Sequence, residues 1–180
     1  KTAYEIYQCD WSSDVCSSDL GDHDRGVHED DVIAALGPDV AFAWFNAVDY
    51  RSGRLLDMAR VVRACAERGI LVGLDLAHSA GAVPHRLHEW GVDCATWCTY
   101  KYLNGGPGAV GALYVHRRHH GTMPGLAGWW GHDKSRQFDM APEFTPAGSA
   151  GAWQIGTPSV LGAAALHGSL AVANQAGIDR

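Results

Sequence analysis

The stretch Thr99-Tyr100-Lys101-Tyr102-Leu103-Asn104-Gly105-Gly106 sets one amine between two phenols, just ahead of a glycine-rich loop. A lysine has two broad uses: a solvated surface cation, or a nucleophile that condenses with a carbonyl compound. Its companions favour the second. Asp75 follows the apolar run Ile70–Leu74, and His78 follows it in Asp75-Leu76-Ala77-His78. An ionised carboxylate ending an apolar run is costly to bury alone, so it must be paired or hold a ligand. An amine, a carboxylate, an imidazole and a phenol together suit chemistry on a carbonyl compound with a basic ring nitrogen.

Those groups converge only if the elements carrying them open on one edge. Residues 39–48 (DVAFAWFNAV) form a mostly apolar run, expected as a buried strand, followed by turn residues Tyr50-Arg51-Ser52-Gly53. From Arg54 to Arg68, Leu55, Met58, Val62 and Cys65 recur at three- and four-residue steps opposite charged positions, and Gly69 stands at the expected C-terminal cap. Residues 70–76 (ILVGLDL) then form a second buried strand, so strand, helix and strand predict a parallel βαβ unit. A short helical turn is expected at Val32–Leu36 and another at Leu87–Trp90. Further strands are expected over 92–100 and 108–116, and an Ala-rich helix over Ser159–Ala176. The fold class is α/β with a mainly parallel sheet and flanking helices. Ligands of such sheets bind outside the carboxyl ends of the strands, where Asp75 and Tyr100-Lys101 fall.

Pyridoxal 5'-phosphate makes those demands. It takes a lysine as its covalent anchor, a carboxylate against its ring nitrogen, and backbone amides and hydroxyls around its phosphate. At this point a resemblance becomes specific. The run GLDLAHSAG…HEWGVDCATWCTYKYLNGGPGAVGALYVH resembles the kynureninases, and GWWGH (128–132) and WQIGTPSVL (153–161) continue it in order and at similar spacing. The resemblance implies part of the large domain of a fold-type I pyridoxal-phosphate enzyme. It also implies hydrolytic Cβ–Cγ cleavage of L-kynurenine or 3-hydroxykynurenine in tryptophan catabolism, and a homodimer. Lys101 would be the covalent anchor and would move the α-proton, and Asp75 would pair with the ring nitrogen. His78 would contact the cofactor, and Tyr100 would bind its phosphate and serve in proton transfer. Trp129 and Thr157 would reach the phosphate or substrate across a subunit interface, and Asn46 would make a strand-end contact. Asp49 departs from the pattern, which has Asn before the turn, and a charge there is expected to perturb the pocket. The same fold also hosts cysteine desulfurases and small-molecule aminotransferases. Desulfurases place His directly before the lysine, where this chain has Tyr100.

The first twenty residues have a different character. Back-translated, Lys1–Ile6 and Asp10–Leu20 match the common adapter of a short-read sequencing library, so residues 1–20 are expected to be foreign to the fold. Residues 21–180 are then expected to be part of the cofactor-binding large domain, well under half of such an enzyme and inactive by themselves. The whole chain carries 14 basic and 20 acidic residues. Setting aside Lys1, Glu5, Asp10, Asp14 and Asp19 leaves 13 and 16, a mildly acidic chain with no electrostatic footprint for nucleic acid. Cys65, Cys94 and Cys98 remain, an odd set that suggests a reducing, cytoplasmic home, with Cys94 and Cys98 expected as small core residues. No apolar run approaches the roughly 20 residues of a membrane span. The His/Arg run 116–120 lacks partners at ligand spacing, so a solvated turn rather than a metal site is expected.

Overall fold

The computed structural model describes residues 26–178; the adapter-like stretch 1–20 lies outside them. In chain order come helix α1 (Glu29–Ala34), strand β1 (Phe42–Asn46), helix α2 (Met58–Ala66), strand β2 (Leu71–Asp75) and helix α3 (Leu87–Trp90). Strands β3 (Cys94–Cys98) and β4 (Gly111–Val115) and helix α4 (Val160–Ala176) follow, with short 3-10 turns at Arg117–His119, Trp129–Gly131 and Ala150–Trp153. The strands make one sheet in the order β1-β2-β3-β4. The first three are parallel, with Asn46 opposite Asp75 and Asp75 opposite Thr96. Strand β4 returns antiparallel, Cys98 facing Gly111. The connections explain the directions. Helices α2 and α3 cross between the parallel strands, whereas residues 99–110 contain no helix and cannot carry a crossover. The expected α/β layer with a mainly parallel sheet is the architecture found.

Helix α2 packs its apolar stripe on the sheet: Met58, Val61, Val62 and Cys65 are buried with Val72, Leu74 and Ala95 in one cluster. It begins at Met58 rather than Arg54 because Asp57 caps it, accepting from the Arg60 amide at 3.0 Å. Leu55, expected on the helix, is instead drawn into an antiparallel bridge with Val48. Buried Glu29 accepts from the Asp57 amide at 2.8 Å and from the Arg54 guanidinium at 2.5 Å, which ties α1 to the start of α2. Asp49 also closes a local turn. It is buried and accepts from Ser52 Oγ at 2.6 Å and the Arg51 amide at 3.2 Å. Burial pushes its carboxyl up, but these hydrogen bonds outweigh it and hold the group below the ordinary carboxylate range. Asp49 thus keeps its charge and directs it to the Ser52 hydroxyl and the Arg51 amide of its own turn.

At the opposite, amino-terminal edge of the parallel strands, Asp93 stands just before β3 with its side chain 8% exposed. It accepts from the Val72 amide at 2.8 Å, from Arg118 Nε at 3.0 Å, and contacts His119 Nε2 at 2.5 Å. The basic turn 116–120 is thus not simply solvated, because Arg118 and His119 close on Asp93. Burial pushes the Asp93 carboxyl up, but the Val72 amide, His119 and Arg118 together hold it below its usual range. A depressed carboxylate stabilises the fold above its unfolded pKa of about 3.9 and loses that contribution as pH falls through the lower folded value. Asp93→Asn is expected to cost about 1–3 kcal/mol near neutrality, because hydrogen bonds of a buried cluster are lost. Thermal melts from neutral pH into acid would show a shallower loss for the variant than for the parent. Parallel curves would mean that the cluster contributes no proton-linked stability.

Candidate active site

Two parallel strands deliver Asn46 and Asp75 side by side at their carboxyl ends. Asp75 Oδ1 accepts from the Ala77 amide at 2.7 Å, and among the described residues no ion pair reaches this half-buried carboxylate. Beyond it the chain folds into a tight turn. The Leu76 carbonyl accepts from the Ser79 and Ala80 amides at 2.9 and 2.8 Å, which fixes the backbone carrying His78. Strand β3 ends at Cys98 and leads into a second closed loop. There the Thr99 carbonyl accepts from the Gly105 amide at 2.8 Å and the Lys101 carbonyl from the Asn104 amide at 3.0 Å. Thr99 Oγ1 lies 2.5 Å from the Val110 carbonyl, anchoring the loop to the approach to β4.

The two loops meet at Lys101 Nζ, 2.9 Å from His78 Nε2. An ammonium has only donors, so this contact uses the Nε2 lone pair and leaves the imidazole proton on Nδ1. Gly81 makes the meeting possible. At φ +88°, it lies so near the lysine loop that a Cβ there would sit 3.0 Å from the Tyr102 carbonyl and 2.8 Å from Leu103 Cδ2. Tyr100, half exposed beside the lysine, has its phenol pushed up, first by its hydrogen bond with Cys98. Cys98 Sγ lies 4.0 Å from the Ala77 carbonyl, against the turn that bears His78. Cys94 and Cys98 are half-buried rather than core residues, in contrast to Cys65. Burial pushes the Cys65 and Cys94 thiols up to about 11. Sequence reasoning gave Gly81 no role and took Cys98 only as a small core residue. For Gly81 a signal existed in the glycine that closes DLAHSAG.

The remaining expected site residues form a separate group. Trp129 stacks edge-on against Phe138 at 5.3 Å and Trp130 at 6.2 Å and stays about half exposed. Its segment is held by Gln137 Nε2 donating to the Trp129 carbonyl at 3.1 Å and by the Ala147 amide donating to the Gly131 carbonyl at 2.9 Å. Thr157 is exposed. Among the described residues, no hydrogen bond joins Trp129 or Thr157 to Lys101, His78 or Asp75. The structure therefore assembles Asn46, Asp75, His78, Tyr100 and Lys101 at one sheet edge and leaves Trp129 and Thr157 outside that cluster. An amine with no carboxylate partner among the described residues, beside a strand-end carboxylate with no cation among them, fits a carbonyl compound bearing a basic ring nitrogen.

The comparisons with known proteins agree with this arrangement. The chain is 54% identical to a kynureninase of Geobacillus thermodenitrificans over 87% of its own length and 36% of the relative's. It is 51% identical to a kynureninase of Bacillus anthracis over the same shares. The chain thus spans about a third of the length of these curated relatives. Among solved structures, a cysteine desulfurase from Thermococcus onnurineus superposes with a TM-score of 0.71 at 19% identity, over 88% of this chain and 38% of that one. A cysteine desulfurase from Escherichia coli gives 0.67 at 24% identity, over 83% and 36%. At such identities these two establish the fold alone. The sequence profile described as aminotransferase class-V matches residues 20–180, and with that match over nearly the whole chain, it belongs to the aminotransferase class-V family.

Proposed function

We propose that the protein carrying this chain hydrolyses the Cβ–Cγ bond of L-kynurenine or 3-hydroxykynurenine, giving anthranilate or 3-hydroxyanthranilate and L-alanine, with pyridoxal 5'-phosphate as cofactor. The observation that carries the reading is the Lys101 amine held 2.9 Å from His78, with Asp75 at the neighbouring strand end in no ion pair among the described residues. The donor set fits the cofactor: among the described residues no carboxylate competes for the Lys101 amine and no cation for the Asp75 charge. When bound, the cofactor supplies an electron sink that lets a carbon next to the amine lose its proton. The chain's residues do the rest. Lys101 anchors and moves the α-proton, Asp75 holds a proton at the ring nitrogen, and His78 orients the lysine. Tyr100 donates its phenol proton towards the phosphate or the leaving acyl carbon. Asn46 extends the strand-end contacts beside Asp75.

Trp129 and Thr157 belong in this reading to the site of a second subunit. Their exposure supports that, as does helix α4, which is mostly apolar and has no buried residue. An apolar helix of this kind is normally covered. Among the described residues no helix is long and apolar enough to cross a membrane. The free thiols of Cys65, Cys94 and Cys98 support a reducing, cytoplasmic setting. In the same reading residues 21–180 are part of the cofactor-binding domain and residues 1–20 are foreign to it. The family match, which begins at residue 20, supports that division. The test is turnover by the full-length protein loaded with pyridoxal phosphate. Anthranilate fluorescence and alanine should appear together from L-kynurenine, while L-cysteine gives no sulfide. Sulfide release without anthranilate would replace this reading by a desulfurase.

A further inference from the structure

Three places outside the assigned residues hold polar chemistry: the Asp93 cluster, the stacked rings of His88 and His116, and the contact of His85 with Ser79. The first two brace the amino-terminal edge and the exit from β4, away from the reacting groups. The third touches the turn that carries His78.

Ser79 is fully buried, so it cannot meet a substrate. Its Oγ lies 3.4 Å from the Leu76 carbonyl and 2.9 Å from His85 Nε2. His85 packs edge-on against Trp90 at 5.9 Å, and its Nδ1 is buried with no hydrogen-bond partner. One hydroxyl proton is available, and two arrangements are open to it. If Ser79 donated to His85, the imidazole proton would sit on Nδ1 as a buried donor with no acceptor. If Ser79 donates to Leu76, His85 donates through Nε2, and only a bare lone pair is left at Nδ1. The unpaired donor is the costlier state, so the chain runs His85 Nε2–H to Ser79 Oγ–H to the Leu76 carbonyl. Burial also pushes the imidazole below its ordinary range, which keeps it in the neutral form that this chain needs.

We propose that His85, acting through Ser79, is a positioning residue that locks the turn after β2 and so holds His78 against Lys101. The Leu76 carbonyl that ends the chain also accepts from the Ser79 and Ala80 amides, and Ser79 is the direct neighbour of His78. Three bonds on one carbonyl, one of them set by His85, define the turn from which the His78 ring reaches the amine 2.9 Å away. The proposal deepens the functional reading and rests on it for the importance of Lys101.

The test is the rate of Lys101 acylation by acetic anhydride in the full-length protein stripped of cofactor, followed by peptide mass spectrometry at one pH. Losing the contact with His78 releases the Lys101 side chain to meet the reagent. Ser79→Ala and His85→Phe should each speed acylation about fivefold, the factor for one hydrogen bond of ordinary net strength. The double variant should do no more than either alone. His85→Gln keeps a donor near the Nε2 position and should return to the parental rate. Should His85→Phe fail to fold, His85→Asn, which lacks a donor there, takes its place. Parental rates in Ser79→Ala, a double variant equal to the product of the two singles, or a His85→Gln no better than the Phe or Asn variant would each overturn the proposal. Adding pyridoxal phosphate to the parent separates the two ideas. If no absorbance band of a lysine–cofactor link forms, the functional reading fails, while the acylation series still decides the role of His85.

Discussion

Replacing Lys101 by alanine in the full-length protein is expected to remove turnover almost completely, because one side chain carries two duties in the proposed reaction. It anchors the cofactor covalently and moves the α-proton. The loss of a positioned proton-transfer group alone costs roughly 10²–10⁴-fold in rate. The anchoring loss adds to it and has its own readout, the disappearance of the absorbance band of a lysine-linked cofactor. Stability should change little, since among the described residues Lys101 makes no ion pair and its loop is closed by main-chain bonds between Thr99 and Gly105 and between Lys101 and Asn104. Among the described residues, its side chain makes its hydrogen bond with His78. A Lys101→Ala protein that turns over kynurenine at a rate near the parent's would remove the lysine from the chemistry. Asp75 and His78 would then lose the role given to them here.

The second large effect belongs to a residue with no reactive group. Gly81→Ala puts a Cβ on a left-handed residue, which costs about 1–2 kcal/mol by itself. It also drives that carbon to 3.0 Å from the Tyr102 carbonyl group and 2.8 Å from Leu103 Cδ2. The leucine tip can swing aside. The Tyr102 peptide cannot, because it follows Lys101 directly within the closed loop, so relief must come by parting the two loops. That moves His78 away from Lys101, and a displacement of about 1 Å in a reacting constellation is enough for roughly 10²-fold in kcat. Gly106→Ala separates the two causes. Gly106 has φ +82° but open space where a Cβ would stand. It should lose stability of the backbone kind and keep most of its activity. Equal kinetic losses in the two variants would show that loop docking at Gly81 does not govern the site.

Much of this was legible along the chain, and particular residues show why. Asp75 announces itself because a carboxylate after Val72, Gly73 and Leu74 has no cheap burial. Lys101 does so because aromatic neighbours and a glycine loop are an unusual setting for a surface cation. The βαβ order follows from apolar runs of strand length on either side of a helical period. Other features were misjudged for equally local reasons. Leu55 keeps the helical spacing of Met58 and Val62, but Asp57 caps the helix after it, and a side-chain cap overrides a periodic match. Asp49 was legible only as a departure from the Asn of the family pattern, because its partners Arg51 and Ser52 become partners only when the turn closes. Arg118 and His119 looked solvated because Asp93, which they close on, lies 25 and 26 residues earlier in the chain.

What the sequence by itself determined is the chemistry and the class: which groups can react, that apolar periods build an α/β sheet, and that strand ends carry those groups to one edge. These depend on residue type and on spacing within an element, and both are written locally. Only the tertiary structure decided which groups touch. Lys101 and His78 meet across two loops, Gly81 sets their separation, His85 reaches back to Ser79, and Trp129 and Thr157 stay outside the cluster. Such contacts are set by where backbones pack against one another, at distances where a single carbon or one hydroxyl proton changes the outcome, and no local pattern encodes that.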